Sequence, residues 1–262
     1  IYSSRNWYIH SHVKILIKNL VTKSTKIDEE ILSTLLNSIS TELSVHNPRN
    51  SFYNHLLLVA RNSIVNLYGP DKKNKANLGF LGEINLPYFS MGAIDSTHLF
   101  GLDELILFSF YHKNKDLYSK VSDLGANIGL HSIVLSNLGY KVTSYEPDPI
   151  HFDKLIQNAN LNNASNINWI NKAVSTESGQ LEFIRVLGNT TGSHLAGSKD
   201  SPYGNLDKFK VDVVPFLKIC KESDLIKIDV EGHEAKILLS TVKNDWSKTD
   251  AIVEVGNQEN SN

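Results

Sequence analysis

Three stretches at the start of the chain carry apolar residues at helical spacing. Ile9, Val13, Leu16, Ile17 and Leu20 mark a helix over 9–21. Ile31, Leu32, Leu35, Leu36, Ile39 and Leu43 repeat the pattern over 27–45, with Asp28, Glu29 and Glu30 in the first turn, where the helix dipole favours acids. A third helix over 52–67 is closed by Gly69-Pro70. The polar run 71–77 is a loop and a domain boundary. Short β-like segments at 79–95 are broken by Gly82, Pro87 and Gly92, and 103–112 reads as a helix. From Lys120 the period changes. Apolar strands near 120–124, 141–146, 167–174, 180–187, 209–214, 224–229 and 250–256 alternate with helical stretches, which predicts a parallel sheet with helices on both faces. The fold class is therefore α/β, with a helical N-terminal domain (1–78) ahead of a sheet domain (79–262). Residues 188–205 form a polar loop of a length that is usually either functional or disordered.

The densest chemical signal lies at the end of the first of these strands. Val121–Leu124 runs into Gly125-Ala126-Asn127-Ile128-Gly129, a strand, a glycine turn and then a helix with Ile133, Val134, Leu135 and Leu138 as its apolar face. Glycine permits positive φ and close backbone approach, so a ligand is expected against this turn. Asn127 stands where the dinucleotide fingerprint needs its middle glycine. Asp123 ahead of the turn suits a ligand with a cationic end and would repel a pyrophosphate. Its simpler role is to cap the following helix. Glu146, in Tyr145-Glu146-Pro147, closes the second strand, where a carboxylate can accept both hydroxyl protons of a ribose. A third strand ends in Asp229-Val230-Glu231-Gly232-His233-Glu234.

The order Asp123–Gly129, Tyr145–Pro147, Asn171–Ser175 and Lys227–Glu234 resembles the FkbM-type S-adenosylmethionine-dependent methyltransferases, over roughly 119–256. The resemblance implies a Rossmann-like class I methyltransferase sheet, continued after the last strand by a helix and an antiparallel strand pair. It also implies an O-methyltransferase that yields S-adenosylhomocysteine, acting on a hydroxyl of a small molecule such as a sugar or glycan precursor. Asp123 and the Gly125–Gly129 turn, helped by the Asn127 amide, would serve the methionine end of S-adenosylmethionine. Glu146 would hold the ribose, and Asn171 and Ala173 would border the adenine. Asp229 would point at cofactor or acceptor. A base for the hydroxyl proton is sought among Asp229, Glu231, His233 and Glu234, with His194 of the long loop as a second choice. His233 departs from the small or aromatic residue of the family and has solvent exposure as its plain alternative. Glu231 and Glu234 could instead cap the next helix through Gly232. The aromatic stretch 80–100, with Tyr88, Phe89 and His98, is either a lid over the crevice or core packing.

Composition narrows the partners. A hydrophobic share of 41% and a charged share of 21% suit a globular chain, and a net charge of −2 without a basic stripe argues against a nucleic-acid partner and so against RNA 2′-hydroxyl methylation. No Asp-Pro-Pro-Tyr or Asn-Pro-Pro-Tyr is present, which disfavours methylation of nucleobase amines. A lone Cys220 rules out an internal disulfide and a cysteine zinc cage. Asp229, Glu231 and Glu254 could offer oxygens to magnesium, but no histidines at ligand spacing join them, and His10 and His12 are polar positions on the first helix, so no metal is assigned. No apolar run is long enough to span a bilayer and no secretory signal pattern opens the sequence as given, so a cytoplasmic protein without a membrane partner is expected, with homo-oligomerisation open. A nucleotide-dependent oxidoreductase and a non-catalytic cofactor-pocket module are the competing readings.

Overall fold

The computed structural model describes residues 25–39, 47, 49–199 and 204–255. The helix expected at 9–21, with His10 and His12, lies outside them, as does the end of the helix expected at 27–45. The described part of the latter is helical over 25–38 (α1). The next helix, α2 (Ser51–Tyr68), begins where the Asn50 side chain accepts the Phe52 N–H at 2.9 Å, a standard N-cap, and ends at Gly69. Leu32, Leu36, Ile64 and Tyr68 from these helices enter one apolar cluster that continues through Ile84, Phe108, Val121, Ile133 and Val142. The core thus runs unbroken across residue 78. No helix among the described residues is long and apolar enough to cross a membrane.

After a small antiparallel hairpin, β1 (Lys75–Asn77) with β2 (Glu83–Asn85), the chain runs through α3 (Leu102–Lys113), β3 (Lys120–Leu124), α4 (Leu130–Asn137), β4 (Lys141–Tyr145) and α5 (Pro149–Leu161). There follow β5 (Ile167–Ile170), β6 (Ala173–Ser175), β7 (Gly179–Val186), β8 (His194–Leu195), β9 (Leu206–Pro215), α6 (Phe216–Glu222), β10 (Leu225–Ile228), α7 (Glu234–Leu239) and β11 (Asp250–Val253). Five of these strands form a parallel sheet in the order β11-β10-β3-β4-β5. Val121, Val142 and Leu225 face the helices of the large cluster, while Leu124, Tyr145, Ile226 and Ile228 face Phe216, Ile219 and Ile237 of α6 and α7. The sheet is covered on both faces, as its near-continuous apolar strands require.

The single parallel sheet expected from the alternation is corrected in one respect. The stretch 167–174 is two strands, broken where the Lys172 N–H bonds the Ile170 carbonyl at 2.9 Å. The second piece, β6, leaves the parallel sheet for a separate one, ordered β6-β9-β7-β8, in which β7 pairs antiparallel with β8 and β9. The physical reason is the connection. Between β7 and β9 the described residues form β8 and turns but no long helix, and a parallel crossover normally needs one.

Because β3 is flanked by β4 on one side and β10 on the other, the chain direction switches beside β3, and a crevice opens outside the carboxyl ends of these strands.

Candidate active site

The crevice floor is the turn after β3. Gly125 has φ 76°, and a Cβ there would strike the Asp229 carbonyl, so the glycine is required by the close approach of the β10 end. The crowding that demands glycine here comes from the neighbouring strand. Asn127 is left-handed at φ 52°, its Oδ1 accepts the Ile128 N–H at 2.8 Å, and the residue lines the crevice.

Glu146 is the centre of the site. It is buried, and its two carboxylate oxygens each accept one backbone N–H, Oε2 from Asn127 and Oε1 from Asp148, both at 2.8 Å. These bonds tie the β3 turn to the β4 turn and leave one lone pair on each oxygen. Burial pushes the carboxyl up to about 8, against the pull of the two N–H donors. Asp148 caps α5 through the Ile150 N–H and takes a two-pronged ion pair from Arg185, Nε–Oδ2 at 2.6 Å and Nη2–Oδ1 at 2.7 Å. Arg185 lies over the Phe209 ring, so this pair fastens the crevice wall to the second sheet. Ala173, Val174, Phe183 and Leu195 supply an apolar patch opposite.

A strap, residues 188–199, crosses the crevice. Thr190 is held by its N–H to the Met91 carbonyl at 2.8 Å and by its hydroxyl to His151 Nε2 at 2.9 Å. Ser198 Oγ reaches His233 Nδ1 at 2.9 Å, and Lys199 Nζ donates to Glu231 Oε2 at 2.6 Å. Gly232 faces the Ser198 carbonyl so closely that a Cβ would lie 2.7 Å from it. Under the strap the crevice holds about 70 Å³. The stretch 80–100 does not line this space. Phe89 packs edge-on against His151, Tyr88 and His98 bond Asp95, and the 91–93 turn supports the strap.

The structure therefore brings Gly125, Asn127, Glu146, Ala173, Asp229 and Glu231 to one crevice. It places the other expected residues elsewhere. Asp123 is fully buried beneath, with Oδ2 accepting from Ser132 Oγ at 2.6 Å and Oδ1 facing Lys227 Nζ at 3.6 Å; the cation it was expected to meet is the chain's own. Gly129 packs on Leu155. Asn171 donates its amide to the Glu146 carbonyl at 2.8 Å and so holds that turn from behind. His233 is buried, both ring nitrogens engaged by Ser175 and Ser198, and burial followed by the nearby Lys236 pushes it down to about 4. It does not face solvent. Glu234 accepts the N–H groups of Val230 and Gly232 at 2.8 and 2.9 Å and shapes the turn. His194 is buried with Nδ1 on the Gly192 carbonyl at 2.9 Å, and the crevice is lined by its neighbours Ser193 and Leu195 instead.

Lys227 was not anticipated. It is buried with Nζ 3.0 Å from Asp229 Oδ2, and although burial acts against the ammonium, Asp229 and Asp123 keep it charged well above its usual range. Burial would raise Asp229, but the charge of Lys227 together with the neighbouring Glu254 carboxyl holds it below its ordinary range. A lone lysine inside the apolar run Leu225-Ile226-Lys227-Ile228 was the available signal. Behind it Glu104 Oε2 meets His131 Nε2 at 2.8 Å, and His131 Nδ1 meets the Tyr111 hydroxyl at 3.0 Å. Oxygens of Asp229, Glu231 and Glu254 lie within 4.8 Å of one another, but lysines already neutralise the first two.

Comparison with known proteins gives a consistent picture. Residues 123–261 match the family model described as the methyltransferase FkbM domain. The chain is 27% identical over 133 residues to the hexuronic acid methyltransferase AglP of Haloferax volcanii, covering 51% of this chain and 54% of that protein. It is 26% identical over 169 residues to the methyltransferase sdnD of Sordaria araneosa, covering 51% of this chain and 64% of that protein. The chain thus spans between about half and two thirds of the length of these relatives.

Proposed function

The chain belongs to the FkbM methyltransferase family, and we propose that it is an S-adenosylmethionine-dependent O-methyltransferase acting on a sugar hydroxyl. The observation that carries the reading is Glu146: a buried carboxylate at the end of the second strand of a nucleotide-type sheet, anchored by two backbone N–H groups, with one free lone pair per oxygen. That donor set fits the vicinal hydroxyls of a ribose, and the apolar patch of Ala173, Val174, Phe183 and Leu195 fits a base. S-adenosylmethionine supplies an activated methyl group when bound, so the protein's task is chiefly positioning.

Glu146 would hold the ribose hydroxyls. Asn127 and Gly125 would bound the methionine half, with Asp229 at the acceptor side, its carboxylate kept ionised and aimed by Lys227. Asn171 and the Arg185–Asp148 pair act as supports, keeping the Glu146 turn in place. The strap would exclude water once closed. The acceptor assignment draws on AglP, whose name specifies a hexuronic acid. Titrating the full chain with S-adenosylhomocysteine in a calorimeter tests the reading: micromolar binding that Glu146→Ala abolishes is expected, and absence of binding to the unmodified protein sinks it.

A further inference from the structure

The acids at the acceptor end of the crevice are not equivalent. Asp123 is engaged by Lys227 and Ser132, Glu231 by Lys199, Glu234 by two backbone N–H groups and Glu104 by His131. Glu254 remains. It follows β11, its side chain is exposed, and a carboxylate oxygen lies within 4.8 Å of one on Asp229. The two face each other across adjacent parallel strands: Ile228 is in register with Val253, and the Glu254 N–H donates to the Ile228 carbonyl at 2.9 Å.

Two carboxyl groups this close resist ionising together, so one of them tends to keep a proton. The neighbours decide which one carries it. Lys227 Nζ sits 3.0 Å from Asp229 Oδ2 and favours ionised Asp229, while no ammonium among the described residues pairs with Glu254. The other charged groups facing the pair are Glu231, with Lys199 on it, from the turn after β10, Glu104 from α3 and His131 from α4. Glu254 is therefore the member that exchanges its proton with water, beside Asp229, which lines the crevice. The hydrogen bond to Asp229, followed by the charge of that carboxylate, pushes it up to about 8, close to the range a working general base needs.

We propose that Glu254 is the residue that accepts the proton of the substrate hydroxyl, with Asp229 as its fixed, ionised partner. The assignment rests on the methyltransferase reading of the crevice. The step balances: the hydroxyl oxygen forms a bond to the methyl carbon, the carbon–sulfur bond breaks with its electron pair left on sulfur, and the hydroxyl proton passes to the Glu254 carboxylate and on to solvent. Transfer requires Glu254 unprotonated, so the rate rises with pH as its proton is lost.

Infrared difference titration of the full chain tests the first half without any substrate. In a Glu146→Gln background, which removes the other carboxyl that titrates near 8, the protein should show a protonated carboxyl band titrating near the value of about 8. That band should vanish in Glu254→Gln and titrate at lower pH in Asp229→Asn. The second half uses methyl transfer to 4-nitrophenyl β-D-glucuronide at enzyme excess and saturating S-adenosylmethionine, so that the pH dependence of cofactor binding through Glu146 does not enter, with S-adenosylhomocysteine binding measured alongside. Glu254→Gln should bind the product cofactor as wild type does, transfer on the order of 10²-fold more slowly or worse, and lose the alkaline rise. A band that survives Glu254→Gln, or transfer within about twofold of wild type with the rise intact, overturns the assignment. Failure of wild type to bind S-adenosylhomocysteine is a different result: it removes the methyltransferase reading, and the infrared band still decides whether Glu254 holds the proton.

Discussion

Lys227 and Asp123 face each other across β10 and β3, Nζ to Oδ1 at 3.6 Å, with both side chains sealed from water. The same ammonium reaches up 3.0 Å to Asp229 at the crevice. One buried cation thus compensates an acid below the sheet end and an acid inside the site. Coupling of this kind ties the stability of the sheet end to the charge of the reaction centre.

Lys227→Met should therefore be costly. It strands two carboxylates, one of them fully buried, and breaking a buried pair by removing one partner typically loses about 3–5 kcal/mol. Pairing it with Asp123→Asn should return a good part of that loss, because the deeper charge then needs no partner. Urea unfolding of the single and double variants reads the difference. Equal losses in the two would show that Asp123 and Lys227 are not coupled.

Much of this arrangement was legible in the sequence and some was not. The strands at 120–124, 141–145 and 225–228 announce themselves as apolar runs ending in a carboxylate or a glycine turn, and their carboxyl ends meet at the crevice as parallel topology requires. What residue type alone does not reveal is the local partner. Asp123, His233 and Glu234 have the right chemistry, but each is consumed by a local partner, a lysine, two serines and two backbone N–H groups, that only the folded chain supplies. The second sheet was hidden because β6 is only three residues long and follows β5 after two, so the pair reads as one strand. Glu254 carries no motif at all; its role depends on register with β10.

Glu146 should link cofactor binding to protons. Burial raises its carboxyl to about 8, so near neutral pH the empty site holds it largely protonated, whereas two ribose hydroxyls donate best to the carboxylate. Binding of S-adenosylhomocysteine should release about one proton near pH 6.5 and tighten with rising pH until the carboxyl is ionised. Calorimetry in buffers of different ionisation enthalpy measures the proton count, and Glu146→Gln should bring it to zero. The same shift makes the empty protein lose stability as pH rises from the ordinary carboxyl range through about 8, since the unfolded chain ionises first.

His233 predicts an opposite limb. Its folded value is pushed down from 6.5 to about 4, so the protein loses stability as pH falls through that interval, where the unfolded chain takes up a proton that the folded one refuses. The full effect is at most about 3 kcal/mol from this one group. His233→Gln should be less stable at pH 7, for want of one of the two serine bonds, yet should lack this acid-dependent decline. Thermal melts at pH 7 and pH 5 compare the two; parallel declines would rule out His233 as the source.

The strap supplies the last prediction. A crevice of about 70 Å³ is well below the ~300–1,000 Å³ of typical small-molecule sites, so the strap must give way to admit a nucleoside. Its outermost fastening is the Lys199–Glu231 pair, with side chains about one third exposed, a class of ion pair that contributes about 0–1 kcal/mol and weakens with salt. Lys199→Ala should therefore leave global stability within about 0.5 kcal/mol of wild type while speeding association of S-adenosylhomocysteine by a few fold. Salt should accelerate association in wild type and have little effect in the variant, because the screened pair is already gone. The inner fastening, Ser198 on His233, is uncharged and stays in place in both proteins. Stopped-flow association across a range of ionic strength separates the two fastenings, and an association rate indifferent to both salt and Lys199 would mean that entry does not pass beneath the strap.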